Sequence, residues 1–223
     1  MTQIKATYVD HSGSDLSTVN AARVSFGKAS SLDMSNPFGA PKLKERDAKL
    51  IRYLAKHNHI SPFGHAFASF HVKAPIFVAR QLVKHSYLRW NEISRRYVDD
   101  DPEFYQPDVW RGRSEDKKQG SEGAVDVTHF MLQDAYEAAY YGYKELVHND
   151  LVAPEQARMI LPQSTMTEWY WSGSLDAFAR MCKLRCASDT QYESRIVADQ
   201  ISDVMRDLFP VSWDALLQTG EEE

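Results

Sequence analysis

Hydrophobic positions in the first third of the chain follow first a two-residue period and then helical periods. Alternation from Ile4 to Val9 predicts a short strand. Ser14 to Val24 begins with capping residues and continues with apolar residues at helical spacing, which predicts a helix. Residues 27–41 are rich in Gly, Pro and Ser and predict a loop, and Lys42 to His57 has the pattern of an amphipathic helix.

A second strand and helix are predicted next. Residues Ala66 to Ala74 are rich in aromatic and β-branched side chains, as strands are. Pro75 suits the first turn of a helix, which we expect from Ile76 to about His85. Residues 98–120 are polar and contain two prolines and a charged run, so they predict a solvated loop.

The remaining segments are assigned from the same periodicities. Ser121 to Asn149 predicts one long helix, one side of which is buried through apolar residues, namely Phe130, Tyr136, Tyr140 and Leu146. The other predicted elements are a short helix from Pro154 that ends before Pro162, a strand from Thr165 to Trp171, and helices from Leu175 to Arg185 and from Thr190 to Leu208.

These elements together predict an α+β fold, in which a mostly antiparallel sheet packs with helices. Strands and helices do not alternate strictly, and the chain lacks the Gly-x-Gly-x-x-Gly fingerprint of a Rossmann domain. A length of 223 residues is within the range of one hydrophobic core. We therefore expect residues 1–223 to form a single domain, with two domains as the weaker alternative.

Composition and charge narrow the possible functions. The chain is 43% hydrophobic and 26% charged, which is typical of a globular protein. Its net charge of −5 argues against a protein that holds nucleic acid by a general basic field. The N-terminal residues lack the apolar core of a signal peptide, and no apolar run reaches about 18 residues, so we expect a cytoplasmic protein with no membrane segment.

Cysteine and histidine residues do not indicate a metal site. Cys182 and Cys186 are four residues apart and are interpreted as buried free thiols. The histidines at 57, 59 and 65 lack a nearby carboxylate or cysteine that would complete a ligand set, so no metal is expected. The aromatic row 169–171 is interpreted as sheet core or subunit interface.

Functional side chains are concentrated in residues 81–97. Four cations, a His, a carboxylate, two amides and two serines lie in this segment. Such a cluster can bind phosphate through its cations, while amide and carboxylate groups contact a base or a ribose. Two alternatives are a solvated surface loop and a single-stranded nucleic-acid site, in which Tyr87, Trp90 and Tyr97 would stack on bases. The acidic chain counts against the second alternative.

The order of residues in this segment resembles the signature of flavin-dependent thymidylate synthases, R-H-R-x-x-S-x-N-E-x-S-x-R-Y. The residues that match in register are His85, Asn91, Glu92, Ser94, Arg96 and Tyr97. Similarity continues outside the signature, in residues 20–24, 57–63, 70–81, 157–162, 184–185 and 191–193. The resemblance therefore covers nearly the whole chain.

Three residues depart from the signature. Lys84 replaces its first Arg and keeps the charge but loses the bidentate fork. Ser86 replaces the second Arg, and Arg89 stands in place of the first Ser. If the preceding helix continued, Ser86 and Arg89 would share a face, and Arg89 could supply the missing cation.

The resemblance implies an enzyme that methylates dUMP reductively to dTMP. Methylenetetrahydrofolate would supply the carbon, NADPH-reduced FAD would supply the hydride, and tetrahydrofolate would be released. The family's FAD site is assembled from several subunits of a homotetramer, so the resemblance also implies this assembly. A catalytically diverged relative that still binds flavin or nucleotide remains the alternative.

The resemblance also assigns residues to the two ligands. Those assigned to dUMP are Gln81, Glu92, Ser94, Arg95, Arg96, Arg158 and Arg185. Those assigned to FAD are His59, Ser61, Lys84, His85, Ser86, Tyr87, Arg89, Asn91, Ser174 and Arg180. Asp176 stands where relatives often have an Arg.

Two of these residues are expected to act in catalysis. Arg185 resembles the family's arginine beside the uracil ring, where a fixed cation can stabilise negative charge on the pyrimidine and raise the nucleophilicity of C5. Ser94 is expected near the same ring, and we assign it an orienting role because the sequence places no base to activate it as a nucleophile.

Overall fold

A four-stranded antiparallel sheet forms the centre of the protein in a computed structural model that describes residues 3–35, 39–98, 100–115, 121–127, 129–148 and 152–218. Its strands are β1 (Lys5–Ser12), β2 (Phe67–Pro75), β3 (Leu88–Glu92) and β6 (Met166–Ser174), in the spatial order β1-β2-β6-β3. A separate ribbon pairs β4 (Arg111–Arg113) with β5 (Ser121–Ala124).

The described residues also form helices α1 to α8, of which α3, α6 and α7 pack on the sheet. Their bounds are α1 Asp15–Arg23, α2 Glu45–Lys56, α3 Ile76–Leu82, α4 His129–His148, α5 Pro154–Ala157, α6 Leu175–Arg185, α7 Tyr192–Leu208 and α8 Pro210–Gln218. Short 3-10 turns lie at Val24–Phe26, Ser61–His65 and Arg158–Ile160. The described elements confirm the predicted α+β class with a mostly antiparallel sheet.

The core lies between the sheet and helices α6, α7 and α8. Alternate residues of β2, such as Phe70, are buried on this face, and Phe70 meets Phe178 of α6 with ring centroids 5.3 Å apart. Trp171 of β6 meets the same Phe178 at 5.6 Å. Each such buried aromatic contributes about 1.5–3 kcal/mol through burial. These contacts pack α6 against one face of the sheet.

Most predicted elements are confirmed, and the helix after β2 is shorter than predicted. It ends at Leu82 instead of about His85, and a turn then leads to Tyr87, whose φ is +66°. The chain continues as β3, which the sequence pattern did not reveal, and Arg89 pairs there with Ser172 of β6. Ser86 and Arg89 therefore do not share a helix face, and that supposition was wrong.

Three further predictions of secondary structure were wrong. Residues 121–124 form β5 and not the start of a helix, and the helix itself begins at His129. Asn149 lies outside the described residues, as does the side chain of Phe130. Strand β4 lies within the segment predicted as loop, because its partner strand satisfies the backbone there. Helix α8 was missed, since Pro210 stands in its first turn and was not recognised as a helix start.

Several smaller expectations concern single side chains. Cys182 is a buried free thiol and Cys186 is half-buried. In the aromatic row Trp169 and Trp171 are buried as predicted, whereas Tyr170 is 52% exposed on the other face of β6. Within the described parts of the chain, no helix is long and apolar enough to span a membrane.

Candidate active site

A cavity of about 770 Å³, the first cavity, lies beside α3 and the facing ends of α6 and α7. Three of the assigned site residues, Gln81, Lys84 and Arg185, line it. The aromatic residues Tyr105 and Trp110 form part of its wall. Cations beside aromatic surfaces suit an anionic ligand that contains a planar ring, such as a nucleotide or a flavin nucleotide.

Arg185 is held at the C-terminal end of α6 by two neighbours from the segment 81–85. Its Nε donates a hydrogen bond of 3.0 Å to Nε2 of His85, and its Nη2 donates to the backbone oxygen of Gln81 at 3.5 Å. A cation in the last turn of a helix is also favoured by the helix dipole. The guanidinium group is thereby oriented before any ligand binds.

The contact between His85 and Arg185 requires a neutral imidazole. Burial, with the neighbouring Arg185 cation as a second cause, lowers the pKa of His85 to about 4. Nε2 must accept the proton of Arg185, so the ring proton stays on Nδ1. His85, assigned to FAD from the resemblance, therefore also orients Arg185.

Polar side chains at the start of α7 connect to Gln81. Gln81 donates from Nε2 to Oε1 of Gln191, and the Ser194 hydroxyl donates to Oε1 of Gln81 at 3.1 Å. Gln191 in turn donates to Glu193, which pairs with Arg111 from β4. The sequence had indicated Gln191 and Glu193 only as similar to the family, without a role, and it had not indicated Ser194.

A second cavity, of about 210 Å³, contains three of the other residues assigned to dUMP. Glu92, Arg95 and Arg158 line it, together with carboxylates that include Asp101. Glu92 is fixed by hydrogen bonds from the Thr167 hydroxyl at 2.7 Å and from the indole of Trp90 at 3.0 Å. The two cavities share no lining residue, so Gln81 and Arg185 line one cavity while Glu92, Arg95 and Arg158 line another.

Ser94 and Arg96 lie just after β3 and contact each other. The Ser94 hydroxyl accepts hydrogen bonds from the side chain of Arg96 at 3.2 Å and from its backbone N–H at 3.4 Å. In the described residues no base contacts this hydroxyl. The orienting role of Ser94 therefore stays a prediction, since activation as a nucleophile would need such a base.

Residues assigned to FAD line the turn before β3 and its edge. The Tyr87 ring is 78% exposed and lies under the guanidinium group of Arg180, whose Cζ atom is 5.2 Å from the ring centroid. Arg180 also pairs with Asp176 at 3.0 Å, and Ser174 donates to the same carboxylate at 2.6 Å. Asp176 thus contacts two of the assigned residues, Ser174 and Arg180.

The remaining residues assigned to FAD are solvent-exposed. His59 and Ser61 lie after α2, where the His59 ring stacks with Tyr53 at 6.3 Å. Ser86 lies in the turn, and Arg89 and Asn91 lie on the outer strand β3. One chain alone leaves these groups open to a ligand or to another chain.

The segment from Tyr105 to Arg111 was interpreted as a solvated loop, yet it forms a wall of the first cavity. Burial, with the Glu193 carboxylate as the next cause, raises the pKa of Tyr105 to about 12, so its hydroxyl stays protonated. Two aromatic residues, Tyr105 and Trp110, in a polar segment were the available sequence signal.

Comparison with known proteins gives a consistent result. Residues 7–211 match the family described as thymidylate synthase complementing protein. A flavin-dependent thymidylate synthase of Thermus thermophilus is 40% identical over 209 residues, which are 93% of this chain and 73% of that protein. The flavin-dependent thymidylate synthase of Pseudothermotoga lettingae is 33% identical over 211 residues, which are 94% of this chain and 88% of that protein.

Solved structures agree. One is the structure of a UMP/dUMP methylase, PolB from Streptomyces cacaoi, bound with 5-Br dUMP. It has a TM-score of 0.82 at 32% sequence identity, and the match covers 98% of this chain and 97% of the methylase chain. A second structure, of the same methylase bound with 5-Br UMP, has a TM-score of 0.80 at 32% identity, with coverage of 97% and 95%.

Proposed function

The chain belongs to the family of flavin-dependent thymidylate synthases, and from this membership we infer that it methylates dUMP reductively to dTMP with FAD as its cofactor. When bound, FAD supplies the hydride after reduction by NADPH, while methylenetetrahydrofolate supplies the carbon unit and leaves as tetrahydrofolate. The observation that carries this function is Arg185, held by His85 and Gln81 in the wall of the first cavity.

Arg185 is proposed as the catalytic residue of this chain. Its remaining N–H groups can face a pyrimidine ring, where a fixed positive charge stabilises the negative charge that develops when C5 acts as a nucleophile. Because His85 and the Gln81 carbonyl hold the guanidinium group beforehand, little reorganisation is needed during the reaction. Ser94 is proposed to orient the same ring.

FAD fits the chemistry of the first cavity and of the turn before β3. Lys84, His85 and Tyr87 would hold it, together with Ser174 at the end of β6 and Arg180 in the middle of α6. Cationic and aromatic side chains suit its phosphates and its ring system. The proposed flavin residues are completed by His59, Ser61, Ser86, Arg89 and Asn91.

The dUMP site is proposed to be shared between subunits of a homotetramer. Gln81 and Arg185 belong to the first cavity, whereas Glu92, Arg95 and Arg158 belong to the second. Since the second cavity is small, about 210 Å³, it suits only a part of a nucleotide such as its phosphate or sugar. In the tetramer, the second cavity of one subunit would lie against the first cavity of its neighbour. This contact would bring Glu92, Arg95, Arg96 and Arg158 of one subunit to Gln81 and Arg185 of the other.

Further parts of the proposal concern the whole protein. We place all 223 residues in one domain and the enzyme in the cytoplasm, with NADPH and the folate as its other substrates. One cluster of buried hydrophobic residues, which includes Ile4 and Leu216, runs through the part of the chain that the structure describes and supports the one-domain arrangement.

The experiment that tests this function is a spectrum and an assay of the purified protein. We expect flavin absorbance, and dTMP formation from dUMP, methylenetetrahydrofolate and NADPH that depends on FAD. Arg185→Ala should lower kcat by about 10²–10³-fold, as loss of one charge-stabilising donor does. The exposed Arg52→Ala variant, which loses only a surface pair with Glu45, is the matched control.

Two outcomes would count against the proposal. Flavin binding without dTMP would indicate the diverged relative that the sequence left open. Absence of flavin binding by the wild-type protein would show that Lys84, Ser86 and Arg89 have abolished the cofactor site.

A further inference from the structure

A row of four side chains connects β4 to the cavity wall, and we name Arg111, Glu193, Gln191 and Gln81 the amide relay. Arg111 donates from Nη2 to Oε1 of Glu193 at 2.5 Å. Gln191 donates from Nε2 to Oε2 of Glu193 at 3.1 Å. Gln81 then donates from Nε2 to Oε1 of Gln191. All four residues line the first cavity.

The Glu193 carboxylate sets the direction of every bond in the relay. A carboxylate only accepts hydrogen bonds, so Gln191 must turn its NH2 group toward Glu193 and its oxygen away. That oxygen can only accept, so Gln81 must in turn present its NH2 group. A reversed amide at either position would place two oxygens against each other.

Ser194 contacts the other atom of the Gln81 amide. Its buried hydroxyl donates to Oε1 of Gln81 at 3.1 Å, which agrees with the orientation that Gln191 imposes. One N–H of Gln81 and one lone pair of its oxygen remain for a ligand, since an amide offers two of each. The amide can therefore meet a ligand in the first cavity in one orientation only.

The Arg111 cation stabilises the carboxylate at the other end of the relay. The Glu193 side chain is only 6% exposed, and a buried carboxylate is unfavourable without a cationic or hydrogen-bonding partner. Arg111 provides both, and it also donates to Ser121 of β5 at 2.9 Å. The ribbon of β4 and β5 is thereby joined to the start of α7.

We propose that Gln191 and Glu193 are positioning residues, which hold the Gln81 amide in the orientation that binds dUMP. This inference rests on the proposed function, because it takes dUMP as the ligand of Gln81. Neither residue needs to contact the nucleotide. Their effect reaches it through the direction of two amide groups.

A double-mutant cycle on dUMP binding tests the inference. We expect Gln81→Ala and Gln191→Ala each to raise the KM for dUMP by about 3- to 10-fold, as the loss of one hydrogen bond does. The KM of the double variant for dUMP should be no higher than that of Gln81→Ala alone, because Gln191 acts through Gln81. Effects that multiply would mean that Gln191 contacts dUMP directly, and they would overturn the inference, as would an unchanged KM in Gln191→Ala.

Glu193→Gln provides a second measurement, because an amide at this position no longer dictates the direction of Gln191. We expect a raised KM for dUMP with a smaller change in kcat. If this variant does not fold, the cycle at Gln81 and Gln191 decides alone.

Gln200→Ala is the matched control. Gln200 lies on the same helix and makes two hydrogen bonds, from the backbone N–H of Ala6 at 2.8 Å and to the backbone oxygen of Ile4 at 3.3 Å. Its loss should lower Tm and leave the KM for dUMP unchanged. Wild-type protein that neither binds nor converts dUMP would overturn the proposed function and the inference with it. Wild-type turnover with multiplicative effects in the cycle would overturn the inference alone.

Discussion

His85 and Arg185 form a pair in which the protonation of one side chain decides the orientation of the other. His85 accepts through Nε2 only while it is neutral, and the low pKa of about 4 keeps it neutral over the physiological range. A charged imidazole would lose this bond and face the Arg185 cation. The orientation of the proposed catalytic group is thus sensitive to acid.

The pair predicts a specific dependence of stability on pH. The pKa of His85 falls from 6.5 in the unfolded chain to about 4, so the unfolded chain binds more protons between these values. The contribution of neutral His85 to the free energy of unfolding is therefore fully present above about pH 6.5, and it decreases as the pH falls toward 4. At pH 5 the loss is at most about 2 kcal/mol, and less after screening of this half-buried ring by solvent.

The measurement compares the free energy of unfolding of the wild type and of His85→Gln at pH 7.5 and pH 5. The Gln oxygen can still accept from Arg185, but it does not titrate in this range. We expect the wild type to lose more stability on acidification than the variant does. Equal losses would show that His85 does not have a lowered pKa.

At the scale of elements, the turn between α3 and β3 carries much of the proposed flavin site. It brings Lys84 to the first cavity and Tyr87 against Arg180. Its geometry requires a positive φ of +66° at Tyr87, a conformation that favours glycine. The chain accepts this strain at a residue whose exposed ring is proposed to contact FAD.

The strain at Tyr87 predicts different stabilities for two variants. Tyr87→Gly should be more stable than Tyr87→Ala by about 1 kcal/mol, because only glycine adopts this backbone conformation without steric cost. Both variants lose the ring and should bind FAD more weakly than the wild type. Thermal unfolding and flavin titration measure the two effects, and equal stability of the variants would contradict the first.

Arg89 of β3 carries a separate prediction. It can no longer substitute for the cation missing at Ser86 through a shared helix face, but it is exposed on the outer strand close in sequence to the turn. We expect Arg89→Ala to weaken FAD binding by about tenfold, as loss of a charged hydrogen bond does. Unchanged affinity, equal to that of the Arg52→Ala control, would remove Arg89 from the flavin site.

At the scale of the whole molecule, the separation of the two cavities bears on assembly. Each chain has Arg185 in the first cavity and Arg158 in the second. Exposed hydrophobic side chains, among them Tyr97 and Met159, lie close in sequence to residues that line the second cavity. Exposed apolar residues around an incomplete polar site are typical of a subunit interface.

Coexpression of two inactive variants tests the shared site. If each site takes Arg185 from one subunit and Arg158 from another, random mixing of Arg185→Ala and Arg158→Ala chains leaves about a quarter of the sites intact. We therefore expect about a quarter of wild-type activity, in particles whose mass by light scattering is that of a tetramer. Sites contained in single chains would give mixed particles with no recovered activity.

Local sequence determined a large part of this structure. Helix α6 has the predicted bounds, because its apolar spacing and its flanking residues act within a few turns. The α+β class followed from such elements, and the family resemblance indicated Arg185 and the segment 81–97. The bounds of these helices and strands could be predicted because they depend largely on interactions between residues that are close in the chain.

Tertiary structure decided what depends on distant partners. Strand β3 exists through its pairing with the distant strand β6, so neither its short pattern nor the turn before it was sufficient to reveal it. The division of the assigned dUMP residues between two cavities, and the amide relay that joins Arg111 to Gln81, likewise arise from contacts across the fold. Hydrogen bonds between side chains far apart in sequence leave no periodic signal, because their geometry is created only when the sheet and helices pack.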